Sequence, residues 1–161
     1  MVTPTLMVLI LVLPCLGYHW LTRGSPRQDL RAAAAVALGL LFLFSAVGHF
    51  AQTAAMVQML PAWVPQRELL VYATGVLEIG IAVALFFRRS RMAGAWTAAA
   101  VLVAFFPANV YAALTHAPMG GHAWGPAYLL VRAPVQLFIL WWTWAMVLRA
   151  PGKLGQAVRW P

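Results

Sequence analysis

The 161-residue chain has three acidic residues, Asp29, Glu68 and Glu78. Glu78 stands inside the apolar run YATGVLEIGIAVALF, from Tyr72 to Phe86. A carboxylate so placed can carry a proton, pair with a cation or accept a hydrogen bond from a polar ligand. Other apolar runs carry their own isolated polar groups: His49 in SAVGHF, Asn109 and Tyr111 in PANVY, Arg132 and Gln136 in VRAPVQ. Histidine adds a proton donor or acceptor near neutral pH, and arginine a permanent charge with a forked set of donors. His49, Glu78, Asn109, Tyr111, Arg132 and Gln136 are therefore the candidate pocket or ion-pair residues. No nucleophile–base motif, phosphate loop or dinucleotide fingerprint accompanies them, so no catalytic residue is assigned.

The elements that must position these groups follow from composition. The chain is 63% hydrophobic and 9% charged, against about 25% charged and 45–50% apolar in a soluble domain. A soluble fold of this length could not cover that apolar surface, so most of the chain is read as dissolved in lipid. The net charge of +8 invites a nucleic-acid reading, which fails. The basic residues sit in short clusters at the ends of apolar runs instead of on one wet face. Cys15 is the only cysteine, which excludes an internal disulfide, a CxxC redox pair and a cysteine-based zinc site. It is expected to be a small buried hydrophobe. His116 and His122, with Met119 between them, resemble a soft-metal site, but two loop histidines are more often solvated, and no metal is predicted.

Five apolar segments approach the ~20 residues that span a bilayer: Val2 to Leu21, Leu30 to Phe50, Leu69 to Phe87, Met92 to Leu114 and Ala127 to Leu148. The first lacks the positive n-region of a signal peptide and is read as a retained helix, with four spans as the alternative. Alternate connections hold Arg23, Arg27, Arg31, then Arg88, Arg89, Arg91, then Arg149, Lys153, Arg159. The opposite connections hold Arg67, with Arg132 at the mouth of the last span. The positive-inside rule then sets the N-terminus outside and the C-terminus in the cytoplasm. The loop from Ala51 to Glu68, with Pro61, Trp63 and Pro65, is expected to lie on the outer surface as a cap. The other outer loop, THAPMGGHAWGP, is expected to be irregular. The run WWTW, Trp141 to Trp144, suits lipid-facing packing or an interfacial anchor.

On this topology Glu78 lies nine residues into its span, about 13 Å at 1.5 Å per residue and close to the midplane. Gln136 reaches nearly the same depth, and Arg132 sits one turn higher. His49, Asn109 and Tyr111 lie toward the outer ends of their spans. Helical spacing puts Ser45 with His49 on one face, Thr74, Gly75, Glu78 and Ala82 on another, and Arg132, Gln136 and Thr143 on a third. An ionised group facing lipid at such depth costs at least ~2.5–3.5 kcal/mol, so these faces are expected to turn inward and to pair Glu78 with Arg132. Two purposes are open: a buried pair that only fixes helix register, or a polar pocket for the head of a small amphipathic molecule or for a proton.

The segments GLLFLFSAVGHF, PAWVPQRELLVYATGVLEIGIAVALFF, AFFPANVYAAL and VRAPVQLFILWWTWA together resemble the DoxX-like family of small bacterial membrane proteins. The resemblance covers about Leu30 to Leu148. It rests on Gly48, His49 and Phe50; Gly75 and Glu78; Pro107, Asn109 and Tyr111; and Arg132, Pro134 and Gln136. It implies an all-α, integral membrane four-helix bundle, to which this chain adds an N-terminal transmembrane helix. The expected organisation is residues 1–26 for that helix and a basic loop, 27–149 for the bundle and 150–161 for a basic cytoplasmic tail. The resemblance further implies the bacterial inner membrane and a non-catalytic subunit of a redox or envelope process. The bilayer, a redox or envelope protein and a quinone-like molecule are the expected partners, and nucleic acid is not. A proton-coupled transporter and an enzyme acting on a membrane-soluble molecule are the alternatives.

Overall fold

The computed structural model describes residues 2–23 and 29–149. Six α-helices make up most of them: α1 (Val2–Leu21), α2 (Leu30–Ala51), α3 (Thr53–Val57), α4 (Arg67–Phe86), α5 (Arg91–Leu114) and α6 (Leu129–Trp142). A 3-10 turn over His122–Tyr128 leads into α6, and a π-helical stretch over Thr143–Leu148 continues it. Five of these segments, the last counted as His122–Leu148, are long and apolar enough to cross a membrane. No β-strand occurs among the described residues. The basic tail of 150–161 and the loop residues 24–28 lie outside the described residues.

α2 is the hub. Its alanine-rich start, RAAAAVALGLL, offers a smooth surface, and Ala34, Ala35, Ala37 and Leu38 are fully buried. Small side chains let neighbouring backbones approach, which is how helices pack where lipid removes the hydrophobic drive. α2 lies against α4, α1 and the π-helical stretch, while α5 lies against α4, α6 and the 3-10 turn. Asp29 starts α2 as its N-cap, its carboxylate accepting from Ala32 N at 2.9 Å. Tyr18 Oη accepts from Asp29 N at 3.0 Å and ties the end of α1 to this start.

α1 does not stand apart. Leu11 and Cys15 are buried in the same core as Leu38, Ile81, Leu85, Ala98, Ile139 and Val147. Outside this core, Leu13, Val47, Val76, Val103, Leu130 and Leu137 are each more than half exposed, a belt suited to lipid and costly in water.

Three boundaries differ from the sequence expectation, each for a local reason. α4 begins two residues early, at Arg67, which places Glu68 in its first turn where the helix dipole favours an acid. The HAWGP part of the loop between α5 and α6 is not irregular but belongs to the 3-10 turn His122–Tyr128, which Gly125 breaks at φ 71° before Pro126. α6 therefore starts at Leu129, not Ala127. The last helix also widens into π turns, with Arg149 N donating to Trp144 O at 2.7 Å. π turns leave carbonyls off the usual ladder. Arg31 Nε reaches one of these, Val147 O, at 2.8 Å.

Candidate functional site

The site is assembled in two halves, from the middle of the bundle toward the end opposite the clustered arginines. The first half lies between α2 and α4. Ser45 and His49 stand one turn apart on α2, as do Thr74 and Glu78 on α4. Gly75 lets the two helices meet: a Cβ there would lie 2.8 Å from His49 Cβ and 3.0 Å from the Phe50 ring. Glu78, 4% exposed, accepts from Ser45 Oγ at 3.2 Å on Oε1. Its Oε2 faces His49 Nε2 at 3.6 Å. On the other side of the imidazole, Nδ1 lies 2.9 Å from Val71 O and 3.1 Å from Thr74 Oγ1. A carbonyl can only accept, so Nδ1 carries a hydrogen. Thr74 Oγ1 donates to Leu70 O or Val71 O, each at 2.9 Å, and receives from the imidazole. With Nδ1 protonated, the Nε2–Oε2 contact is attractive when one more proton lies on the pair. His49 and Glu78 thus form a close acid–base pair inside the bundle.

The second half lies between α5 and α6. Pro107 removes one backbone donor from α5 and loosens the ladder near Asn109. Asn109 Nδ2 donates to Phe105 O at 2.8 Å, and its Oδ1 accepts from Arg132 Nε at 3.1 Å. One turn further along α6, Gln136 Nε2 donates to Leu102 O. Phe105 bridges the halves, its ring centroid 6.5 Å from that of His49.

Five of the six candidates thus join the cluster, but not in the expected pairing. Among the described residues, Glu78 has His49 as its ionic partner, and Arg132 donates to Asn109 instead. The reason is helix order: α4 packs on α2 and α5, whereas α6 packs on α5 and α1. Tyr111 is half-buried, and its hydroxyl makes no hydrogen bond to the cluster among the described residues. Ser45 and Thr74 belong to the site as direct partners of Glu78 and His49, and their i−4 spacing from those residues was the available signal.

Several polar atoms here have no partner. Glu78 Oε2, Arg132 Nη1 and Gln136 Oε1 are enclosed yet make no hydrogen bond. His122 shares this state at Nε2. It was expected to be solvated, but it is 5% exposed and packs edge-on against the Tyr128 ring at 4.8 Å. His116 is exposed. Among the described residues, no three His, Cys, Asp or Glu side chains gather as a metal site.

Residues 38–147 match the model of a family described as a domain of unknown function, DUF8561. The chain belongs to the DUF8561 family. The matched region begins within α2 and ends in the π-helical stretch, so every residue of the polar cluster lies inside it and α1 lies outside. The DUF8561 unit is thus α2 to α6, with α1 packed against it. No curated protein and no solved structure matches the chain.

Proposed function

We propose that this chain is a multi-pass membrane protein whose buried polar cluster holds the polar head of a small amphipathic, quinone-like molecule. The protein would act as a non-catalytic subunit of a redox or envelope process. The observation that carries the reading is the set of unpartnered atoms. Enclosed polar atoms without partners cost about 1–3 kcal/mol each, more when charged. A cluster meant only to fix helix register would satisfy itself. This one leaves a donor, Arg132 Nη1, and an acceptor, Gln136 Oε1, while Glu78 Oε2 has only its 3.6 Å ionic contact with His49 and no hydrogen bond. A head bearing both a carbonyl and a hydroxyl complements that set. Arg132 also lacks an acid of its own. Asp29 caps α2, Glu68 lies exposed at the start of α4, and Glu78 is taken by Ser45 and His49.

The likeness to DoxX-like proteins is in keeping with the same reading, and on it the chain would sit in a bacterial inner membrane as a bundle of α2, α4, α5 and α6 with α1 added. The arginine bias puts the C-terminus in the cytoplasm and the cluster toward the outer side. Purification in native lipid tests the proposal. Mass spectrometry of extracted small molecules is expected to find one compound near one per chain. Glu78→Gln and Arg132→Gln should each lose it, and the lipid-facing Val76→Ala should keep it. A preparation with nothing enriched over bulk lipid, or a compound retained by both cluster variants, overturns the reading.

A second reading rests on the His49–Glu78 pair, a buried imidazole facing a buried carboxylate, which suits a proton-coupled carrier. Uptake by proteoliposomes that Glu78→Gln abolishes, with the fold intact, would favour the carrier over the subunit.

A further inference from the structure

The opposite end of the bundle holds a second feature that the cluster does not use. A cleft of about 270 Å³ opens there, lined by Asp29, Arg31, Arg88, Arg91 and Met92. It lies where α2 begins, α4 ends and α5 begins, at the level where the apolar spans stop. Three guanidinium groups and one carboxylate give the lining a net charge of +2 (3 − 1).

The carboxylate is already engaged, because Asp29 Oδ1 accepts from Ala32 N. The arginines are poorly matched. Arg31 spends Nε on Val147 O, and its Nη2 meets only the Met92 thioether, a weak acceptor. Arg91 Nε reaches Leu85 O at a long 3.4 Å. Arg88 is exposed and makes no hydrogen bond among the described residues. Phe87, just past the end of α4, and Trp96, on α5, are both more than 60% exposed and lie close to the cleft residues in sequence, as apolar and aromatic groups do at a bilayer interface.

We propose that this cleft binds the phosphodiester headgroup of an anionic phospholipid. Guanidinium forks match phosphate oxygens two at a time, and a phosphate oxygen is the strong acceptor that Arg31 Nη2 lacks. Basic pockets between spans on the cytoplasmic side take such headgroups. A headgroup with two phosphodiesters neutralises the +2 lining. The acyl chains then lie along the exposed apolar faces of α4 and α5. The inference needs the chain to span a membrane but does not depend on what the polar cluster binds.

The test titrates the full chain in detergent with cardiolipin, with phosphatidylcholine and with inorganic phosphate, reading bound lipid by native mass spectrometry. Cardiolipin should be retained and phosphatidylcholine not. An arginine near the membrane surface contributes about fivefold to such binding, so R88Q/R91Q should weaken cardiolipin about 25-fold. R89Q/R149Q removes the same charge outside the cleft and should weaken it clearly less than R88Q/R91Q does, because it leaves the cleft's own guanidinium forks in place. If R88Q/R91Q does not fold, R88Q alone should cost about fivefold. Three results overturn the proposal. One is equal weakening by the two double variants. Another is equal retention of cardiolipin and phosphatidylcholine. The third is displacement of cardiolipin by equimolar inorganic phosphate, which would make a free phosphate the ligand.

Discussion

Gly75→Ala is the perturbation most directly tied to the geometry of the site. The added Cβ would sit 2.8 Å from His49 Cβ and 3.0–3.2 Å from two atoms of the Phe50 ring. Carbon atoms prefer at least about 3.5 Å, so α2 and α4 must part by about 0.7 Å (3.5 − 2.8) at the level of His49. The Phe50 ring can swing toward lipid, since it is 46% exposed. His49 Cβ moves only with the α2 backbone. Overpacking of this kind costs about 1–3 kcal/mol, while alanine returns about 0.5–1 kcal/mol of helix propensity. Gly80→Ala is the internal control: it lies on the same helix, and its Cβ meets nothing within 4 Å. The propensity gain is common to both variants, so the difference between them isolates the clash. At about 3 °C per kcal/mol for a chain of this size, Gly75→Ala should melt about 3–9 °C below Gly80→Ala in detergent. Equal melting temperatures would refute the close α2–α4 crossing and, with it, the placement of His49 against Glu78.

Two further outcomes follow from the described contacts. Asp29→Ala removes the N-cap of α2 and should cost about 1 kcal/mol of stability in thermal or denaturant unfolding, whereas Asp29→Asn should keep most of it. A double-mutant cycle of His49→Gln and Glu78→Gln should give a coupling of about 0.5–3 kcal/mol, measured by unfolding of all four proteins. A parallel cycle of Arg132→Gln with Glu78→Gln should give a smaller coupling, since those two side chains make no hydrogen bond or ion pair and attract only through their charges at longer range.

The helices were legible in the sequence, and the neighbours were not. Apolar length fixed the spans to within two residues, because a bilayer demands that length and the flanking charges stop it. The fixed rise per residue set Glu78 near the midplane and His49 toward the outer end of its span, so the two were expected in the same half but not as a pair. Which helix stands beside which is not periodic information. Glu78 and Arg132 are close in depth, yet helix order gave Glu78 to His49 and Arg132 to Asn109. The burial of His122 also escaped notice, since glycine and proline around it read as an open loop. Its signal was Tyr128, six residues on, whose ring covers it. Nothing in TWAMVL marks a π turn, which arises from packing against Arg31 and α2 instead of from local preference.

That wide turn has a geometric consequence. It holds one residue more than a regular turn, so the end of the stretch at Leu148 and Arg149 is rotated by about 100° relative to an uninterrupted helix. Removing one residue from the stretch would tighten it without shortening any loop. The Val147 carbonyl would swing away from the Arg31 guanidinium, and the exit of the chain would point in a new direction. Length changes of a single position there would therefore re-aim whatever follows the last span while leaving the chemistry at the far end of the bundle undisturbed.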